Sequence, residues 1–258
     1  MPDGLRLALD LDAVGGWLSR SLRRPVRFVK ASQFNAGQSN PTYLLLASTG
    51  ERIVLRRQPP GALLPSAHDV SREWRCLAAL ESTRVPVPRP LAFCADSNVL
   101  GVQWYAMAFV PGTVYDDVAL PSLSPKARNS TWTHAAKVLA DLHALDVAAV
   151  GLQKHGASGG YALRQLRVWG RQFGMADAFV REASATTQGG AHGHGATAAD
   201  VATASADMIR LEKTLRRHAE SRRAASGWEA PCVVHGDYRL GNLVVREHAT
   251  TPRVVAVR

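Results

Sequence analysis

The chain has 258 residues, 46% of them hydrophobic, so it can bury a sizeable core as one large domain or as two lobes. No apolar run is long enough for a transmembrane helix, and the early acids of the first residues are unlike a secretory signal. The net charge of +10 is compatible with nucleic-acid binding, with attraction for phosphorylated small molecules, or with a basic surface that has no dedicated role. The basic residues are dispersed and few aromatics lie between them, which disfavours nucleic acid as a partner.

The three cysteines, Cys76, Cys94 and Cys232, are scattered, and each has apolar neighbours. This pattern is typical of reduced, buried thiols in an intracellular protein. We therefore expect an intracellular location, with the cytoplasm as the default and mitochondria or peroxisomes as alternatives, and no membrane partner.

The first 109 residues have the pattern of a small sheet accompanied by helices. Apolar residues three and four positions apart predict helices, and short apolar runs bounded by Pro, Gly and Asp predict strands. The predicted helices cover 4–24 and 68–82, and the strands cover 26–29, 51–57, 91–94 and 102–109, with one more strand after the polar turn that begins at Gln33. Pro111 and Gly112 follow the last of these strands, so we place the boundary between an N-terminal lobe, 1–109, and a C-terminal lobe, 110–258, at this point.

Two features of this first lobe are suited to phosphate. The turn at 33–43 is rich in small polar residues, which permit backbone N–H groups to approach phosphates closely, although an ordinary hairpin turn has the same composition. The strand at 51–57 ends in Arg56 and Arg57, and Glu73 lies on the helix that follows. A kinase needs a strand cation held by a helix acid, and a solvated helix face is the alternative for Glu73.

The second lobe is predicted to be mainly helical. Ser124 and Pro125 provide a cap and a first-turn proline for a helix that extends to about 146, and further helices are predicted at 161–182 and about 206–225. The Ala-, Gly-, Ser- and Thr-rich stretch 183–206 lacks periodicity and indicates a flexible insertion. The histidines of this lobe have no acids or cysteines spaced for a metal, and we interpret them as core, surface or loop residues: His134, His143, His192 and His194.

The most informative stretch is the polar loop that contains His235, Asp237 and Asn242 between the apolar runs 232–234 and 243–245. We expect both runs to be buried strands, the second in a hairpin with 253–257. The spacing His-x-Asp-x-x-x-x-Asn matches the catalytic loop of kinases, in which the Asp accepts the hydroxyl proton and the Asn holds magnesium.

Together these motifs resemble the aminoglycoside phosphotransferase family of kinase-like small-molecule phosphotransferases. More narrowly, they resemble the kinase domains fused to, or encoded beside, acyl-CoA dehydrogenases of the family member 10 and 11 type. The resemblance covers about residues 25–180 and 228–257, and its motifs are 34–43, 54–61, 63–68 and 235–242.

The resemblance implies an α+β, two-lobed protein-kinase-like fold with ATP and Mg²⁺ between the lobes. It implies that Asp237 is the catalytic base, that Asn242 is a magnesium ligand, and that Arg56, held by Glu73, replaces the usual lysine. It also implies an adenine hinge at Met107, Ala108 and Val110, and a turn over the phosphates formed by Ala36, Gly37, Gln38, Ser39 and Asn40. For the narrower group the implied acceptor is a hydroxyacyl-CoA, a CoA thioester, with an acyl-CoA dehydrogenase as fusion or partner.

The chain departs from the family pattern at three places. Ala36 replaces a glycine, Arg56 replaces a lysine, and Arg258 is the last residue where the family continues into Asp-Trp-Glu, whose Asp binds magnesium. We therefore expect an incomplete C-terminal lobe with an exposed apolar face and an impaired phosphotransferase. A non-catalytic nucleotide-binding module, or pseudokinase, is the alternative from another class, and a kinase acting on proteins is a lesser variant.

Overall fold

The structure, a computed structural model, describes residues 9–34, 40–60, 68–156, 160–186, 198–223, 231–248 and 251–258. The chain divides into two compact units, Met1–His155 with Cys232–Arg258, and Gly156–Pro231. Among the described helices, none is both long and apolar enough to cross a bilayer.

The first unit contains a five-stranded antiparallel sheet with the strand order β1-β2-β3-β5-β4. Burial alternates along β2, where the side chains of Tyr43, Leu45 and Ala47 are buried, whereas consecutive residues are buried in β3 and β5. The elements up to the end of the sheet are α1 (Leu11–Leu22), β1 (Phe28–Gln33), β2 (Thr42–Ala47), β3 (Arg52–Arg57), α2 (Val70–Leu80), β4 (Pro90–Cys94), α3 (Ser97–Leu100) and β5 (Trp104–Ala108).

Helix α2 begins with a capped first turn and is held on the sheet by one aromatic side chain. The carboxylate of Asp69 accepts hydrogen bonds from the backbone N–H groups of Ser71 and Arg72, which caps the first turn. Trp74 lies 6.1 Å from Phe93 of β4 and 6.1 Å from Tyr105 of β5, measured between ring centroids. This packing holds the helix against β5, next to the strand that carries Arg56.

The remainder of the first unit consists of helix α4 (Pro125–His143), a 3₁₀ turn (Leu240–Asn242), and the hairpin β6 (Leu243–Arg246) and β7 (Arg253–Val257). Side chains of α4 and the hairpin share a core with the end of α2, which includes Leu80, Val138, Leu142, Leu243 and Val257.

The chain crosses closely over β6 after it leaves the sheet. Thr113 and Val245 exchange two backbone hydrogen bonds of 2.8 Å. A Cβ atom at Gly112 would lie 2.6 Å from Cγ1 of Val244 and 2.8 Å from the Val245 carbonyl oxygen, so only glycine fits this crossing.

The second unit contains two long helices that contact each other, α5 (Tyr161–Thr186) and α6 (Ala198–Arg223). The Ser205 hydroxyl of α6 donates a hydrogen bond to Asp177 of α5. Several large apolar side chains of this unit are exposed, among them Trp169, Met175 and Phe179.

Some predicted boundaries are wrong. Of the insertion expected at 183–206, residues 183–186 and 198–206 are helical, because alanine favours helix even where no apolar period is present, while 187–197 lie outside the described residues. The run 232–234 is not a strand: among the described residues none pairs with it, and the side chain of Val234 is 63% exposed. For the same reason Cys232 is exposed, whereas Cys94 is buried as expected and Cys76 is partly buried.

Candidate active site

Glu73 is the centre of a polar cluster on the sheet, which we call the Glu73 network. Its carboxylate accepts hydrogen bonds from Nε of Arg56 at 2.6 Å, from the second guanidinium nitrogen of Arg56 at 3.1 Å, and from the hydroxyl of Tyr105 at 2.9 Å. Nδ2 of Asn40 donates a fourth bond at 2.9 Å. The predicted ion pair of strand cation and helix acid is therefore present, and Glu73 does not lie on a solvated helix face.

Strand register explains why these groups meet. Thr42 of β2 and Tyr105 of β5 are the direct neighbours of Arg56 across the sheet, so the three side chains stand in a row on one face. The Arg56 guanidinium also donates to Oγ1 of Thr42 at 3.2 Å. Burial alone would lower the pKa of Arg56, but the adjacent Glu73 and Tyr105 more than offset it and raise the pKa.

Tyr105 is buried, and this burial, together with the negative charge of Glu73, raises the pKa of its phenol well above the ordinary value. It therefore remains a neutral hydrogen-bond donor at physiological pH. Tyr105 was not predicted as a site residue from the sequence. Its position opposite Arg56 becomes evident only when β3 and β5 are paired.

Asn40 belongs to the same network. Its side chain is only 4% exposed, and besides donating to Glu73 it contacts Nδ1 of His68 at 3.1 Å through Oδ1. Asn40 is predicted to cover the phosphates through the backbone of the turn, and its side chain holds Glu73. The other residues predicted for that turn lie outside the described residues: Ala36, Gly37, Gln38 and Ser39.

The loop 235–242, which the sequence predicts to be catalytic and which we call the catalytic loop, brings Asp237 and Asn242 together. Nδ2 of Asn242 donates to Oδ2 of Asp237 at 2.7 Å and to the Asp237 carbonyl at 2.9 Å. Nε of Arg239 donates to the same Oδ2 at 3.2 Å. The hydrogen bonds from Arg239 and then Asn242 lower the pKa of the exposed Asp237 carboxyl.

The loop is anchored through groups other than Asp237. The Tyr238 hydroxyl donates to the Ala135 carbonyl of α4 at 2.7 Å, and burial raises the pKa of Tyr238 to about 12. The ring of His235 accepts the Asp237 N–H at Nδ1 and therefore donates through Nε2 to the Arg258 carbonyl at 3.0 Å. Gly236 has a φ of 85°, a conformation that glycine adopts without steric cost, and this turns the chain between His235 and Asp237.

Arg258 connects the loop electrostatically with the Glu73 network. Its guanidinium donates to the Gly241 carbonyl at 2.6 Å. Burial, and then the positive charges of Arg56 and Arg239, lower the pKa of Arg258.

At the predicted hinge, the backbone groups of Ala108 and Val110 differ in availability. The Ala108 N–H donates to the Arg89 carbonyl at 2.8 Å, and the following Phe109 N–H donates to the Arg52 carbonyl. Within the described part of the chain, nothing hydrogen-bonds the Val110 backbone. The side chain of Met107 is buried beneath this segment. A ligand at the hinge would therefore use the Val110 backbone and the Ala108 carbonyl, not the Ala108 N–H.

The loop oxygens have the chemistry of a magnesium site. Because Nδ2 of Asn242 is engaged with Asp237, its Oδ1 is the amide atom left for a cation, and the Asp237 carboxylate is exposed beside it. Such oxygen ligands suit Mg²⁺. A cluster of three or more His, Cys, Asp or Glu side chains that could enclose a metal does not occur in the described ranges.

Comparison with known proteins identifies the family of this chain. The family model described as the phosphotransferase enzyme family (APH) matches residues 30–257. Among curated proteins, Arabidopsis thaliana IBR3, named as an acyl-CoA dehydrogenase, is 38% identical over 235 residues, which cover 88% of this chain and 25% of the relative. Acyl-CoA dehydrogenase family member 11 of Rattus norvegicus is 34% identical over 226 residues, with coverage of 88% and 25%. The chain thus spans about a quarter of the length of these relatives.

Among solved structures, a candidate aminoglycoside phosphotransferase from Ralstonia eutropha JMP134 is 30% identical, with a TM-score of 0.69 over 97% of this chain and 64% of that one. The streptomycin–ATP–APH(2″)-IIa complex is 14% identical, has a TM-score of 0.51 over 97% and 70% of the two chains, and shares the fold alone. The expected α+β, protein-kinase-like fold is confirmed. The chain belongs to the phosphotransferase enzyme family.

Proposed function

We propose that the chain is an ATP-dependent phosphotransferase domain that acts on a small-molecule hydroxyl. The observation that carries the proposal is the hydrogen-bonded Asp237–Asn242 pair, which lies in the same unit as the Arg56–Glu73 ion pair. A base, a cation ligand and a fixed phosphate-binding cation are the parts that phosphoryl transfer requires, because the reaction depends mostly on positioning and charge neutralisation.

In this proposal Arg56 contacts the α- and β-phosphates of ATP. Glu73 accepts from two nitrogens of Arg56, which fixes the plane of the guanidinium and leaves the nitrogen that contacts Thr42 nearest to a ligand. The turn formed by Ala36, Gly37, Gln38, Ser39 and Asn40 would cover the phosphates. Adenine would lie against Met107 and bind the Ala108 carbonyl and the Val110 backbone.

Asp237 is the proposed base. Its carboxylate takes the proton of the acceptor hydroxyl while the hydroxyl oxygen bonds to the γ-phosphorus and the bond from that phosphorus to the bridging oxygen of ADP breaks. The lowered pKa of Asp237 makes it a weak base, which suits a loose transition state in which the proton leaves late. Asn242 would hold Mg²⁺, which, when bound, supplies neutralisation of charge on the phosphoryl oxygens.

For the acceptor we propose a hydroxyacyl-CoA. The named acyl-CoA dehydrogenase relatives support this choice, and the net charge of +10 suits a CoA thioester with its phosphates. An acyl-CoA dehydrogenase is then the proposed partner or fusion. The test measures ADP release with a hydroxyacyl-CoA and, as the matched control, the same acyl-CoA without its hydroxyl; equal rates with both would refute this acceptor.

A slow rate is proposed for the 258-residue polypeptide. The reason is that the neutral amide of Asn242 is a weak metal ligand. The carboxylate beside it in the described loop, Asp237, is assigned to proton transfer. The ion pair between Arg239 and Asp237 favours a second candidate, a nucleotide-binding module without catalysis, because an Arg on the carboxylate weakens it as a base.

The variant Asp237→Asn separates the two candidates. For a catalyst, we expect ATP-dependent phosphorylation to fall by about 10²- to 10⁴-fold, with ATP affinity retained because the proposed ATP contacts are made by Arg56, the turn and the hinge, not by Asp237. The control Asp207→Asn removes an exposed carboxylate of α6 and leaves the rate unchanged. Equal turnover in Asp237→Asn and the parent would refute the role of Asp237. Nucleotide binding with no turnover in the parent would establish the second candidate.

A further inference from the structure

A cavity of about 530 Å³ lies outside the catalytic loop and the Glu73 network. Three elements of the first unit line it: the segment between α2 and β4, helix α4, and the β6–β7 hairpin. Hydrogen bonds hold these walls together, because the Val257 N–H donates to the Pro86 carbonyl at 2.8 Å and the Val254 N–H donates to Nδ1 of His134 at 3.2 Å. The cavity is therefore part of the folded unit and needs no rearrangement to form.

Positive charge dominates the lining. Each wall contributes cations: Arg84 from the segment before β4, Lys137 from α4, and Arg246 and Arg253 from the hairpin. The carboxylate among the lining residues, Asp141, is paired with Lys137 at 2.5 Å.

Unlike Lys137, the three arginines of the lining have no carboxylate partner among the described residues. Over the residues that the structure describes, no carboxylate lies within ion-pair distance of Arg84, Arg246 or Arg253. The neighbouring Glu247 accepts a hydrogen bond from the Tyr115 hydroxyl at 2.6 Å and forms no such pair with them. Cations gathered around one cavity repel one another, so an anion placed between them is attracted by all of them.

His134 adds a neutral donor to the same cavity. Burial, and then the charges of Arg253 and Lys137, lower the pKa of His134, so the imidazole is neutral at physiological pH. Its Nδ1 accepts the Val254 N–H, which leaves the proton on Nε2 as a hydrogen-bond donor.

The rest of the lining is apolar. Pro86, Val138, Val254 and Val255 contribute, and of these Pro86 and Val255 are partly exposed, whereas Val138 and Val254 are almost fully buried. An inorganic ion would leave this apolar surface exposed to water, whereas the organic part of a phosphate ester would cover it. Guanidinium groups bind phosphate through paired hydrogen bonds, which carboxylates of small acids match less well in charge.

We propose that this basic cavity binds a small phosphorylated organic molecule, at a site separate from the phosphotransfer site. The proposal does not depend on the identity of the acceptor or on turnover, because none of the lining residues belongs to the catalytic loop, the hinge or the Glu73 network.

The test is calorimetric titration of the 258-residue chain with phenyl phosphate and, separately, with inorganic phosphate, at constant ionic strength. We expect phenyl phosphate to bind to one site and more tightly than inorganic phosphate, because its ring covers the apolar lining. In the double variant Arg246→Gln with Arg253→Gln, we expect the affinity for phenyl phosphate to fall about tenfold or more, since two charge-assisted contacts are lost.

Two comparisons make the result specific. The double variant Arg27→Gln with Lys30→Gln removes the same charge from exposed positions near β1 and should leave the affinity unchanged, whereas Arg56→Gln alters the phosphotransfer site and should also leave it unchanged. Circular dichroism checks folding, and Arg84→Gln with Lys137→Gln tests the opposite walls if the first variant does not fold. Loss of binding in Arg56→Gln but not in the cavity variants would overturn the proposal. So would equal weakening in all variants, or inorganic phosphate that binds as tightly as phenyl phosphate.

Discussion

Glu73 and Asp237 are both acceptors of side-chain hydrogen bonds, but they differ in exposure. The side chain of Glu73 is 32% exposed and accepts four hydrogen bonds, from Arg56, Tyr105 and Asn40. The side chain of Asp237 is 64% exposed and accepts bonds from the side chains of Arg239 and Asn242. Water can replace a lost partner at Asp237 but reaches the Glu73 network less easily. A partly buried polar group needs its hydrogen-bond partners, because the free-energy cost of leaving it unpaired exceeds the net free energy gained from one hydrogen bond. We therefore expect substitutions in the Glu73 network to change stability, and substitutions around Asp237 to change chemistry.

The difference is useful to a phosphotransferase. A cation that contacts phosphate has to keep one orientation, and the buried partners of Glu73 supply it. A base has to reach a substrate from solvent, so it must be exposed, and its loop is anchored instead through Tyr238 and the backbone turn at Gly236.

The largest effect on stability is expected for Glu73→Ala. It leaves the Arg56 guanidinium, the Tyr105 hydroxyl and the Asn40 amide without their acceptor. We therefore expect the free energy of unfolding to fall by about 2 kcal/mol. The loss is smaller than that for a fully buried ion pair, because Arg56 is partly exposed. Urea unfolding followed by circular dichroism measures it.

The matched control is Glu51→Ala. Glu51 also pairs with an arginine, Arg24, at 2.8 Å, and its side chain is 32% exposed, like that of Glu73. It differs in that no buried tyrosine or asparagine among the described residues donates to it. We expect a loss of about 0.5 kcal/mol or less. Equal losses for the two variants would contradict the comparison, because they would mean that the extra partners of Glu73 contribute nothing.

The parts of the network that sequence could predict are those that depend on local periodicity. Arg56 at the end of an apolar run and Glu73 on an amphipathic helix are visible in the pattern, and so is the Asp237–Asn242 spacing. Tyr105 and Asn40 are not, since their contact with Glu73 depends on which strands pair and on how the chain returns to the sheet. Pairing between distant segments leaves no short-range signal.

The same limit explains the wrong strand at 232–234. Periodicity reports how apolar a run is, whereas a strand also needs a partner for its N–H and C=O groups, and no described strand offers one. The hairpin β6–β7 was predictable because its two apolar runs are close in sequence and flank a polar turn.

A smaller effect is expected for Tyr105→Phe, which removes one hydrogen bond to Glu73 and keeps the aromatic packing against Trp74. The loss should be about 1 to 1.5 kcal/mol, because the acceptor is charged. The control is Tyr43→Phe: this buried hydroxyl has no hydrogen-bond partner in the described part of the chain, so its removal should be neutral or stabilising. Thermal unfolding midpoints compare the two, and a larger decrease for Tyr43→Phe would refute the assignment of Tyr105 to the network.

The smallest effect on stability is expected for Arg239→Gln, which should change the titration of Asp237 instead. The hydrogen bond from Arg239 is the main cause of the lowered pKa of Asp237, so the variant should titrate at higher pH, nearer to an ordinary aspartate. A lowered pKa in the folded state contributes stability above the unfolded-state pKa, and this is lost as the pH falls through the folded-state value. The substitution therefore moves that loss to higher pH. Carboxyl-carbon NMR titration measures the shift, with the signal assigned through Asp237→Asn, and Arg210→Gln, which removes the partner of Asp207, serves as the control that leaves Asp237 unchanged. An unaltered Asp237 midpoint in Arg239→Gln would mean that the arginine does not act on the base, and the case for the non-catalytic candidate would lose its supporting observation.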